Sequence, residues 1–135
     1  MPKINESELK KEIKSGDFKN AYLLYGEESY LKEYYANELK NKIVDKTFEA
    51  FNFHYFDGKD TELDDILKDA QMLPMMSEYN FVMVKDYPIE KSANDIKLLE
   101  EYLKDAPDTT VFVFWFDAIE PDVKSAKFKK VIKAF

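Results

Sequence analysis

With 135 residues, 45% of them hydrophobic and 35% charged, and with only five prolines and three glycines, the chain reads as one folded domain. The absence of cysteine excludes disulfides, thiolate zinc sites and thiol nucleophiles, and a single histidine leaves little for a histidine-based metal site. A net charge of −7, with lysine as the only basic residue, disfavours direct DNA binding and supplies no arginine finger.

The first element in chain order is a short helix over residues 5–15. Its signals are a capping residue at Asn5, acids in the first turn, apolar Leu9 and Ile13 four apart, and Gly16 at the end. Ala21 to Tyr25 is a continuous apolar run stopped by Gly26, the pattern of a strand buried on both faces. From Glu28 to Val44, Leu31, Tyr34, Tyr35, Leu39 and Ile43 recur at helical spacing.

The alternation then repeats. A strand is predicted at Phe51–Phe56, followed by a helix from Thr61 to about Met72 that carries Leu63, Ile66, Leu67 and Ala70 on one face. The third strand is Phe81–Val84, and its helix runs from Ser92 to Lys104. The fourth strand is Val111–Phe116, and a last helix spans Asp122–Phe135 without a capping glycine or proline, which suggests a piece of a longer chain. Four strand–helix units over residues 20–135 imply an α/β fold of three layers, a parallel sheet with helices on both faces. No apolar run approaches the roughly 18 residues of a membrane span, and the amino terminus lacks a signal peptide's apolar stretch, so a cytoplasmic domain without membrane contact is expected.

In parallel sheets ligands sit beyond the carboxyl ends of the strands. The turn Gly26-Glu27-Glu28-Ser29-Tyr30-Leu31-Lys32-Glu33 lies where a phosphate-binding loop belongs, between the first strand and its helix. That loop needs a second glycine for close backbone approach and a hydroxyl for magnesium, and Leu31 and Glu33 stand in those places. Only Lys32 survives, and Glu27 and Glu28 bring negative charge that repels a nucleotide, so the segment reads as an acidic helix start. Asp57, Asp86 and Asp117 follow other strands, where acids commonly begin loops; a magnesium site would need two or three of them to converge. His54, in an apolar strand without an evident partner, reads as a packed or surface histidine.

Met72-Leu73-Pro74-Met75-Met76 is unusually apolar for a loop. Met72 and Leu73 are expected to fold back into the core as a helix end. Met75 and Met76, beyond the proline, are left with two readings: core, or an exposed plug whose flexible thioethers fill a partner's pocket.

Three segments carry a resemblance: Ala21 to Leu31, Leu73 to Ser77 leading into Phe81-Val82-Met83-Val84-Lys85, and Thr110 to Phe114 with Lys124, Lys127, Phe128 and Lys129 after it. Their order resembles the amino-terminal domain of the delta subunit of the bacterial DNA polymerase III clamp loader. The resemblance implies a degenerate AAA+ or P-loop-like domain without a functional Walker A loop, hence no cofactor and no catalysis of its own. ATP hydrolysis would belong to its loader partners and polymerisation to the holoenzyme. It further implies that Leu73, Pro74, Met75 and Met76 bind the sliding clamp (the beta subunit) and help open its ring, with methionine replacing the family's usual aromatic wedge. Other loader subunits would be met through regions absent here and DNA only through the complex, leaving this fragment monomeric. The alternative is a magnesium-dependent receiver-like or small nucleotide-binding α/β domain.

Overall fold

The computed structural model describes residues 6–25, 29–119 and 121–135. Helix α1 (Glu6–Ser15) ends at Gly16, whose φ of 79° needs no Cβ and whose N–H closes on the Glu12 carbonyl at 2.9 Å. Strand β1 (Ala21–Leu24) follows, then α2 (Ser29–Ile43), a single 3-10 turn at Lys46–Phe48, and α3 (Glu49–Asn52), which runs directly into β2 (Phe53–Asp57). The remaining elements are α4 (Leu63–Ala70), β3 (Asn80–Lys85), a 3-10 turn at Ile89–Lys91, α5 (Ala93–Lys104), β4 (Thr110–Trp115) and α6 (Ala126–Ala134).

All four strands are parallel, in the order β1-β4-β3-β2. The two-residue period of a strand divides them between two cores. Leu23, Val82, Val84, Phe112 and Phe114 face α4, α5 and α6, while Tyr22, Phe81, Met83, Val111 and Val113 face α1 and α2. The three-layer expectation therefore holds, with helices on both faces of a parallel sheet.

β1, β3 and β4 are buried almost throughout, as continuous apolar runs require. β2 is not. It lies at the sheet's edge, and α2 packs over β3 and β4, so Tyr55 is left exposed. Its start also differs from expectation: Phe51 and Asn52 belong to the one-turn helix α3, closed by the Phe53 N–H on the Glu49 carbonyl, and the strand begins at Phe53. The final helix begins at Ala126 and not at Asp122, because Ser125 is its N-cap and accepts the Phe128 N–H at 3.0 Å. Ser92 likewise caps α5 through the Asp95 N–H.

Candidate functional site

The loop joining α4 to β3 lies at the edge of the sheet where the strands begin, since Asn80 opens β3. This edge is opposite the strands' carboxyl ends, where parallel sheets usually hold ligands. The loop's side chains stand in solvent: Met72 is 49% exposed, Leu73 74%, Met75 55% and Met76 80%. Met75 and Met76 thus match the exposed reading, whereas Met72 and Leu73 do not fold back into the core. The reason is where α4 stops. Ala70 is its last buried side chain, and the Ala70 carbonyl is taken by the Tyr102 hydroxyl at 2.9 Å and the Thr110 hydroxyl at 3.1 Å, so the following residues turn away from the sheet. Burial pushes the Tyr102 phenol up to about 12, keeping it a neutral donor to that carbonyl.

Two buried asparagines hold the loop. Asn52 exchanges two hydrogen bonds with the Met75 backbone: its Nδ2 donates to the Met75 carbonyl at 2.8 Å and its Oδ1 accepts the Met75 N–H at 2.7 Å. Asn80 Nδ2 donates to the carbonyls of Asp69 at 3.0 Å and Met72 at 3.1 Å, tying the end of α4 to the start of β3. Leaving a buried polar group unpaired costs about 1–3 kcal/mol, and Asn52 satisfies both of its polar atoms on Met75, whereas Asn80 pairs its Nδ2 and leaves its buried Oδ1 without a partner. Just beyond the Met75 tie, Met76 takes a left-handed φ of 58°, which costs a non-glycine residue roughly 1–2 kcal/mol. The loop is apolar and outward-facing, with its backbone fixed. Pro74, between the two ties, is half-buried.

At the opposite edge, Gly26, Glu27 and Glu28 lie outside the described residues. Leu31, in the place of the second phosphate-loop glycine, packs against the α2-side core; Lys32 is buried and Glu33 exposed. The acids after the strands are engaged separately. Asp86 is buried at φ 57°, and its carboxylate accepts the backbone N–H groups of Asp117 (2.7 Å), Ala118 (3.1 Å) and Ile119 (3.3 Å), which shapes the loop after β4. Asp57 accepts the Lys59 N–H, and the Asp117 carboxylate faces Lys85 Nζ at 3.6 Å. Among the described residues no three acidic or histidine side chains converge as a metal site would require. His54 does have a partner, contrary to expectation: its Nδ1 lies 3.4 Å from Asp69 Oδ2 on α4.

The comparisons with known proteins bear on the family and the fold. The family described as DNA polymerase III, delta subunit, matches residues 22–134. The chain belongs to the DNA polymerase III delta-subunit family. It is 31% identical over 131 residues to DNA polymerase III subunit delta of Bacillus subtilis (strain 168), covering 92% of this chain and 37% of that protein. It superimposes on the solved Bacillus subtilis DNA clamp loader delta protein with a TM-score of 0.79 at 27% identity, over 95% of this chain and 40% of the other. The chain thus spans well under half the length of these relatives.

Membership in the delta family does not favour the receiver-like alternative, and the sheet argues the same way. A flavodoxin- or receiver-type sheet runs 2-1-3-4-5 with β1 between β2 and β3. Here β1 pairs with β4. No helix among the described residues is long and apolar enough to cross a membrane. The residues that sequence reasoning missed are Asn52 and Asn80. Each is a lone amide beside apolar residues where a strand starts, Asn52 just before β2 in Phe51-Asn52-Phe53 and Asn80 as the first residue of β3, and that interruption was the available signal.

Proposed function

We propose that this chain is a single noncatalytic domain of a clamp-loader delta subunit that binds the sliding clamp through Leu73, Pro74, Met75 and Met76 and helps open its ring. One observation carries the reading: four large apolar side chains, Met72, Leu73, Met75 and Met76, stand exposed on a loop whose backbone is fixed at both ends by buried side chains. Apolar side chains clustered on a soluble surface mark a docking site, and a pre-ordered loop loses less entropy on binding than a mobile one. Membership in the delta family supports the sliding clamp as that partner.

The nucleotide loop (Gly26, Glu27, Glu28, Leu31, Lys32, Glu33) is read as non-functional. Leu31 is committed to packing and Glu33 offers no magnesium-holding hydroxyl, so ATP hydrolysis falls to other loader subunits. Those subunits, and DNA through the assembled complex, are reached by portions of the longer delta proteins that this chain does not span. Surface plasmon resonance of the 135-residue chain on immobilised sliding clamp from the same organism tests the reading. Saturable binding at micromolar concentration is expected; no binding at 100 μM would overturn it.

A further inference from the structure

Among the described residues, the large apolar side chains left exposed are Tyr34, Phe51, Tyr55, Met72, Leu73, Met75, Met76 and Val123. Single exposed apolar residues are ordinary on a protein surface; several gathered on adjoining segments are not. Here five of the eight lie on two segments, the α4–β3 loop and the one-turn helix α3, that meet at one amide. Phe51 is 55% exposed and immediately precedes Asn52, whose buried side chain grips the Met75 backbone through both of its polar atoms. The two segments are 23 residues apart in sequence, yet this clasp brings Phe51 and Met75 onto the same edge of the sheet. Lys40 on α2 spans the junction of α3 and β2: its Nζ lies 3.7 Å from Glu49 on α3 and 4.3 Å from the ring centre of Phe53, the first residue of β2.

We propose that Phe51 is a second anchor for the same partner that takes the methionine loop, held in register with Met75 by the Asn52 amide. This rests on the clamp-binding reading above. The occupant follows from continuity: a protein surface that covers Met75 lies beside Phe51, and burying the exposed part of that ring adds apolar contact without new ordering, because Asn52 has already fixed the spacing. Phe51 also brings to the surface an aromatic ring, which the exposed stretch Met72 to Met76 lacks and which protein interfaces favour. Asn52 is a positioning residue: it touches the backbone of Met75 and not the partner.

The test uses the 135-residue chain against immobilised sliding clamp. Phe51→Ser is expected to weaken binding roughly four- to fifteenfold while leaving the urea midpoint unchanged, since more than half of the ring is already in solvent. Val123→Ser, an exposed apolar change in the segment between β4 and α6, should leave affinity unchanged. A benzophenone side chain placed at position 51 should cross-link to the clamp on illumination. For Asn52→Ala the distinguishing readout is hydrogen exchange: the Met75 amide should exchange at least tenfold faster, with the amides of β4 unaffected and clamp affinity reduced. Wild-type affinity in Phe51→Ser with no cross-link from position 51 would overturn the proposal. If Met75→Ser with Met76→Ser still weakens binding in that case, the clamp-binding reading stands without Phe51. If that pair also binds normally, both fall.

Discussion

Replacing Met75 and Met76 together by serine separates a partner plug from a core segment, because the two roles predict opposite outcomes. The side chains keep 55% and 80% of their surface in solvent. Full burial of a methionine side chain is worth about 1.5–3 kcal/mol, so a pocket covering what is exposed on both would contribute about 2–4 kcal/mol, or roughly thirty- to a thousandfold in affinity. The portion already buried within the fold is the smaller share, and the Asn52 clasp grips backbone atoms that the substitution leaves in place. Folding stability should therefore fall by about 1–2 kcal/mol at most, allowing for partial burial in the unfolded chain. Urea denaturation gives the stability and surface plasmon resonance on the clamp gives the affinity. Normal affinity with intact folding would mean that the clamp is bound elsewhere. A urea midpoint lowered by the several kcal/mol of a core cavity would mean that these methionines are structural.

Other substitutions test the scaffold. Gly58 donates to the Lys85 carbonyl at 2.7 Å, and a Cβ there would meet the Tyr87 Cα at 2.3 Å, so Gly58→Ala should destabilise the domain by about 2–3 kcal/mol; an unchanged urea midpoint would refute the close approach. Asp86→Ala removes the acceptor for three backbone N–H groups and should cost about 2–3 kcal/mol, with faster hydrogen exchange at Asp117 and Ala118; protection equal to the wild type would refute its role in shaping that loop. Burial raises the Tyr102 phenol from about 10 to about 12, which favours the neutral form in the fold. Its contribution is fully present below pH 10 and is lost as pH rises toward 12, by on the order of 2–3 kcal/mol. Tyr22 and Tyr87 are raised for the same reason, so alkaline unfolding should be steep, and Tyr102→Phe should flatten it.

How much of this was legible in the sequence follows from the range of each interaction. Helix and strand periods are local, so the order of elements and the stop at Gly16 could be read from the chain; Met75 and Met76 were apolar by type, but the sequence left core and exposed readings open for them, and their exposure came from the fold. Where local signals conflict, the reading failed. The aromatic alternation from Phe51 looked like strand, but Asn52 is drawn into a helical turn by a partner 23 residues away. Leu73 looked like a helix end returning to the core, but Tyr102 and Thr110, 32 and 40 residues beyond Ala70, take up the last carbonyl facing the sheet.

What the sequence by itself determined is a parallel α/β domain without the side chains of a working phosphate loop, and a loop too apolar to be mere connection. Those are properties of residue type and spacing. Only the tertiary structure decided that β1 pairs with β4, that Asp86 spends its carboxylate on the backbone after β4, and that the methionine loop shares the strands' starting edge with Phe51. Strand order and buried amide clasps depend on which distant segments meet, and no single segment carries that information, because the free energy of a hydrogen bond such as Asn52 to Met75 exists only after the sheet has brought both ends together.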